Sequence, residues 1–183
     1  MEKITANELI KRDIRGKIVC FPTDTVYGVG ALVDDIDQIN KIYKMKNRDS
    51  NKPLAILTGS KNIDAFVEYI SPEAQKYIDE EWPGALTLIF KKNKNIDDAI
   101  TKGFDTIAFR MPNSITSLKI LNHFGLMAVT SVNVSGSKEL VNVSDIEEYF
   151  GDWIDYIVID EEASSKQPSR IIDVSKKEIT IIR

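Results

Sequence analysis

The chain has 183 residues, 43% of them hydrophobic and 28% charged, with a formal net charge of -4. That is the length and balance of one ordinary globular domain spanning residues 1 to 183, and the acidic total offers no overall attraction to nucleic acid or to an anionic membrane surface. One cysteine, Cys20, and one histidine, His123, exclude an internal disulfide framework, a cysteine-based zinc cluster and a multi-histidine metal site.

The N-terminal stretch MEKITANELIKRDIRGK lacks the apolar core of a secretory signal. No apolar run approaches the ~20 residues needed to cross a bilayer. The expected compartment is the cytoplasm, with no membrane partner. Thr5-x-x-Glu8 is a capping box that opens a short helix over residues 6 to 13. Lys17 to Phe21 reads as a buried strand carrying Cys20 as an inert core thiol, and it runs into a polar stretch, FPTDTVYGVG. Ile36, Ile39 and Tyr43 share one helical face. Pro53 to Thr58 is a second buried strand, and Ser71-Pro72-Glu73 starts a further helix with an N-cap, a first-turn proline and a first-turn acid.

Ala85 to Phe90 and Thr106 to Arg110 are strands, and a helix from about Ile115 stops at Gly125, with His123 near its end. Leu126 to Asn133 is the next strand. Ser144-x-x-Glu147 predicts another capped helix ending at Gly151. Three short strands, YIVID, RIIDV and EITII, close the chain. The mixture predicts an α/β fold: a twisted, mixed, open sheet flanked by helices, with apolar runs that suit burial on both faces.

Several familiar patterns fail. Gly28-x-Gly30 lacks the third glycine of a dinucleotide loop, because position 33 is valine. A P-loop is absent, and Ser135-x-x-Lys138 has none of the companions of penicillin-recognising enzymes. Three polar clusters at strand or helix ends remain. Thr23, Asp24, Thr25 and Tyr27 lie beside Gly28 and Gly30, which would let backbone approach a ligand. Lys44 to Arg48 ends a helix, where cations complement the dipole or face phosphates. Thr130 to Gly136 brings hydroxyls, an amide and a glycine together as an anion nest or a turn. Together they describe one polyanion site at strand ends, the usual ligand position of open α/β sheets.

The sequence resembles the YrdC-like family, the threonylcarbamoyl-AMP synthases. The resemblance rests on Pro22 to Val29, Lys46-Asn47-Arg48, Trp82-Pro83-Gly84-Ala85-Leu86-Thr87, Arg110-Met111-Pro112, Ser131-Val132-Asn133-Val134-Ser135-Gly136 and Pro168-Ser169-Arg170, in that order. The chain departs from the family pattern at Asp49, Ala85, Val132 and Arg170.

The resemblance implies a single YrdC-like domain with a concave ligand cleft. It implies a reaction in which L-threonine, bicarbonate and ATP give L-threonylcarbamoyl-AMP and pyrophosphate, for the modified adenosine next to the anticodon of tRNA. By the same resemblance Lys46, Arg48, Ser131 and Asn133 are catalytic, as preorganised cations and neutral donors to phosphate or carbamate. Thr130, Ser135, Ser169 and Arg183 join them in holding ATP. Thr23, Thr25, Tyr27, Thr87 and Arg110 hold threonine. Mg2+ would ride on the ATP phosphates with no metal ligands from protein side chains. The implied partners are a threonylcarbamoyl transferase complex and, through a weak contact, tRNA. The competing readings are an RNA-binding module without catalysis and a carbamoyl-transfer domain of the same fold.

Overall fold

A computed structural model describes residues 1–161 and 164–183. Ten strands form one mixed sheet: β1 Glu2–Ile4, β2 Val19–Phe21, β3 Gly28–Leu32, β4 Ala55–Leu57, β5 Leu86–Lys91, β6 Thr106–Arg110, β7 Met127–Ser131, β8 Tyr156–Val158, β9 Arg170–Asp173 and β10 Thr180–Ile181. Their order is β1-β8-β2-β3-β7-β4-β6-β5-β9-β10. Four pairs are parallel, β1·β8, β2·β8, β4·β6 and β5·β9, and the rest are antiparallel. The helices are α1 Ala6–Leu9, α2 Ile36–Met45, α3 Pro72–Glu81, α4 Asp98–Thr101, α5 Ile115–Phe124 and α6 Val143–Phe150.

Alternation along the strands sorts side chains onto two faces. On one face Cys20, Val29, Ala31, Ile56, Leu88, Phe90 and Phe109 pack against Ile39 and Ile42 of α2 and Ala74 and Ile78 of α3. On the other, Val19, Phe21, Leu57, Met127, Val129 and Val158 pack against Leu9 of α1 and Ile120 and Leu121 of α5. This second cover is incomplete. Past α1 and α5 the same face continues through Thr87 and Ile89 of β5 and through Thr106, Ala108 and Arg110 of β6, and there it lines an open cleft. The sheet is therefore buried on both faces only along part of its width.

Local signals hold where one side chain closes a helix end. Thr5 and Glu8 make the reciprocal capping box, and Ser71 Oγ accepts from Ala74 N. α1 stops at Leu9 rather than near residue 13, because Asp13 turns the chain by accepting from Arg15 N and Gly16 adopts φ +72°. The N-cap of α6 is Asn142, and Ser144 lies inside its first turn. Cys20 is fully buried, and burial pushes its thiol up, out of reach of ionisation. His123 sits in the last turn of α5, edge-on to Phe124.

One expectation changes substantially. Gly28 and Gly30 are not loop residues. They belong to β3, paired with Ser131 and Val129 of β7. A Cβ on Gly28 would lie 2.8 Å from Val129 Cγ1, and one on Gly30 would lie 2.6 Å from the Ala128 carbonyl oxygen. The glycines allow close approach inside the sheet, beneath the cleft, rather than a flexible turn. Gly30→Ala should therefore force β3 and β7 apart and cost about 1–3 kcal/mol, the usual range for overpacking. Urea unfolding measures it, and an unchanged midpoint would show that the strands have room to spare.

Candidate active site

The polar stretch after β2 folds on its own hydroxyls. Thr23 Oγ1 donates to Val26 O at 2.7 Å and accepts from Thr25 N at 3.1 Å. Its one hydrogen is spent, so in the 2.9 Å contact between the two hydroxyls Thr25 is the donor. Thr25 Oγ1 then accepts from Arg110 Nη1 at 2.8 Å. Arg110 Nη2 pairs with Asp24, and its Nε donates to Gly84 O at 3.1 Å. Gly84 N donates to Met111 O at 2.8 Å, and Trp82 Nε1 donates to Leu86 O at 2.8 Å. A Cβ on Gly84 would lie 2.3 Å from Glu81 O, so this corner needs glycine. Arg110 thus locks the 22–27 loop to the 82–86 corner. Burial depresses its guanidinium and Asp24 opposes that shift.

Lys46 caps α2, and Asn47 at φ +48° turns the chain away behind it. Lys46 was expected at an open helix end, facing phosphate. Instead it is 1% exposed. Its Nζ donates to Ser131 O at 2.5 Å, Asn133 O at 2.7 Å and Asn133 Oδ1 at 2.8 Å, which uses all three hydrogens. Burial pushes the ammonium down to about 8, with Arg48 adding to the shift and Glu139 opposing it. Lys46 O accepts from Ser135 N at 2.8 Å. Lys46, Asn133 and Ser135 do not line the cleft; they stand behind the wall that Thr130 and Ser131 present to it. The Asn133 amide, expected to donate to a ligand, donates to Ser137 O at 2.6 Å instead.

The remaining wall comes from distant sequence. Thr87 Oγ1 and Ser169 Oγ meet at 2.9 Å, and Arg183 Nε donates to Ser169 O at 3.0 Å. Ser165 N and Lys166 N donate to Asp24 O and Thr25 O at 2.9 Å each, tying this segment to the 22–27 loop. Arg48 Nε donates to Lys52 O at 2.7 Å and Nη2 to Pro53 O at 3.2 Å. The Arg48 guanidinium also makes a side-chain hydrogen bond with the Tyr43 phenol, so three contacts are set against its five hydrogens, and the four Nη hydrogens of Arg183 have no hydrogen-bond partner among the described residues. Arg170, at the family's usual threonine position, turns out to Glu81 at 3.2 Å, and Val132 is core. Neither departure touches the cleft.

The result is a cleft of about 370 Å³. Ala55, Leu57, Ile89, Ala108, Val129 and Ile171 give it an apolar floor. Thr23, Thr25, Tyr27, Arg48, Thr87, Arg110, Thr130, Ser131, Ser169 and Arg183 stand around that floor, so most of the residues singled out in the sequence converge here. The Tyr27 phenol is half-buried and pushed up by burial. Among the described residues no cluster of three His, Cys, Asp or Glu could hold a metal ion. The arrangement suits a ligand with anionic groups and one flat apolar part. Sequence reasoning counted Asp24 in the first polar cluster without giving it a role, and it passed over Gly84 as a site residue. Asp24 had a signal, an acid between two threonines, whereas the role of Gly84 appears only once β6 lies beside its corner.

These two cations separate experimentally. Lys46→Met should orphan buried oxygens at about 1–3 kcal/mol apiece and lower the unfolding midpoint sharply. Arg48→Ala should cost about 1 kcal/mol or less, since the residue is only partly buried. Parallel denaturation curves check the contrast, and equal losses would contradict it.

Residues 14–183 match the Sua5_yciO_yrdC family, described as telomere recombination. A putative threonylcarbamoyl-AMP synthase of Methanocaldococcus jannaschii is 35% identical over 96% of this chain and 84% of its own length. The threonylcarbamoyl-AMP synthase of Pyrococcus abyssi is 32% identical over 92% of this chain, which spans half of that longer protein. The structure of P. abyssi Sua5 complexed with L-threonine superposes with a TM-score of 0.90 at 29% identity, over all of this chain and 57% of that one. E. coli YciO shares the fold, with a TM-score of 0.83 at 18% identity over 97% of this chain and 87% of that one. With residues 14–183 matched by the family and nearly its whole length shared with these relatives, the chain belongs to the Sua5/YciO/YrdC family.

Proposed function

We propose that the chain is a single-domain threonylcarbamoyl-AMP synthase. The observation that carries this is the convergence of Arg48, Arg110 and Arg183 around one apolar-floored cleft. Relatives that bear this name, and a related structure that holds L-threonine, support the same reading. The substrates are L-threonine, bicarbonate and ATP. The free threonine amine bonds to the carbon of bicarbonate, and a carbon–oxygen bond breaks to release water, which leaves a carbamate. A carbamate oxygen attacks the α-phosphorus, the bond to the bridging oxygen breaks, and pyrophosphate leaves.

The residues divide that work by what they have left to donate. Arg48 and Arg183 keep unspent guanidinium hydrogens and are the groups for the triphosphate, where negative charge gathers as phosphorus becomes pentacovalent. Arg110 is neutralised by Asp24 and holds the threonine side of the site through the 22–27 loop. Thr23 and Thr25 shape that loop more than they contact ligand, being 3% and 1% exposed. Thr87 and Ser169 brace the wall opposite. Lys46 and Asn133 support Ser131 from behind. Among the described residues no side chain stands in the cleft as an activated covalent nucleophile, so positioning is the main contribution. Mg2+ enters with ATP as part of the substrate. The product passes to a transferase that modifies tRNA, in the cytoplasm.

Pyrophosphate release with purified chain tests this directly. It should require ATP, bicarbonate and L-threonine together, and release without threonine would overturn the reading. Arg48→Ala should lower turnover by ~10²–10³, the usual loss of one preorganised donor, while the circular dichroism spectrum stays unchanged. Near-normal release by this variant would remove Arg48 from the phosphate role.

A further inference from the structure

Ser131 reaches the cleft with its hydrogen already committed, and the reason lies behind it. Lys46 Nζ is a donor only, and with its ammonium near 8 it keeps all three hydrogens at pH 7. It lies 2.8 Å from one end of the Asn133 amide, so that end must be oxygen. The other end lies 2.6 Å from the carbonyl oxygen of Ser137, an acceptor only, so it must be nitrogen. Two independent partners thus fix the amide one way round. Ser131 Oγ lies 2.9 Å from Asn133 Oδ1, a pure acceptor, so the hydroxyl must donate to it. A serine hydroxyl has one hydrogen and two lone pairs. What Ser131 has left to offer is lone pairs.

We infer that Ser131 Oγ is a hydrogen-bond acceptor in the cleft, held in that polarity by buried Lys46 through Asn133, and that it receives an N–H or O–H of the ligand rather than a phosphate oxygen. Fully ionised phosphate carries no hydrogen to give, so Ser131 Oγ beside a phosphate oxygen would set lone pairs against lone pairs. The proposed substrates carry such hydrogens on the amine and hydroxyl of threonine, on bicarbonate, and on the ribose and adenine of the nucleotide. Lys46 becomes a positioning residue, acting through Asn133 and Ser131 without touching substrate. Burial and then Arg48 push the Lys46 ammonium down and Glu139 opposes them, while the three oxygens within 2.8 Å of Nζ each call for one of its hydrogens.

The inference rests on the proposed threonine and ATP site, and the test separates the two. Calorimetric titration of the wild-type chain and of Ser131→Ala uses L-threonine, bicarbonate, adenosine and inorganic pyrophosphate as separate probes. Removal of an acceptor should weaken about tenfold whichever of threonine, bicarbonate or adenosine supplies the hydrogen, and leave pyrophosphate within twofold. A tenfold loss of pyrophosphate affinity, or no loss on any probe, overturns the inference alone. Wild-type chain that binds none of the probes overturns the proposed function and the inference together. Ser131→Thr is the second variant. Its hydroxyl keeps one hydrogen for Asn133 Oδ1 and lone pairs for the ligand, so it should recover the affinity that Ser131→Ala loses, and failure to recover it overturns the inference. Melting temperatures confirm that each variant is folded.

Discussion

A buried guanidinium holds this architecture together. Arg110 is 7% exposed and spends its Nε and one hydrogen of each Nη on Gly84, Thr25 and Asp24, three groups from two loops far apart in sequence. Removing such a charge from water is expensive, and a buried pair repays that cost only when its geometry is well satisfied. Here the satisfaction is a chain: Asp24 balances the charge, Thr25 accepts from Arg110 and donates to Thr23, and Thr23 donates to Val26 O. The loop takes its shape because the arginine needs partners. The arginine stays buried because the loop provides them.

Lys46 repeats the arrangement on the opposite wall. Both cations sit in the framework, and both face inward to protein oxygens. Each orders the backbone segments that supply its oxygens, and Arg110 also lines the cleft. The cations with capacity to spare, Arg48 and Arg183, hold themselves by one or two bonds to backbone carbonyls, with the Tyr43 phenol as a further partner of Arg48, and keep donors beyond these. A rigid inner set that fixes geometry and an outer set that remains available is what preorganisation requires. The apolar floor adds a low-dielectric surface on which those charges act more strongly than they would in water.

Much of this was legible in the chain. Thr5, Glu8 and Ser71 close helix ends by contacts within three residues, so their reading needs no tertiary information. Most strands announced themselves as apolar runs. β1 did not, because two of its three residues are exposed and it forms only by pairing with β8. β3 did not, because its glycines carry no hydrophobic signal and look like a loop until β7 lies against them. α4, four residues long, has no periodicity to detect.

The sequence by itself determined most of the strand and helix succession, the exclusion of cysteine and histidine metal clusters, and the set of polar residues that gather at strand ends. It did so because capping, periodicity and composition act over a few residues. Only the tertiary structure decided which of those residues face the ligand. Lys46 and Arg48 stand two positions apart, yet one is buried behind the wall and the other lines the cleft. The difference arises because Asn47 turns the backbone between them and because the β7 end, 85 positions away from Lys46, brings the oxygens that take its hydrogens. A donor's availability depends on the acceptors that folding places around it, and no local pattern records that.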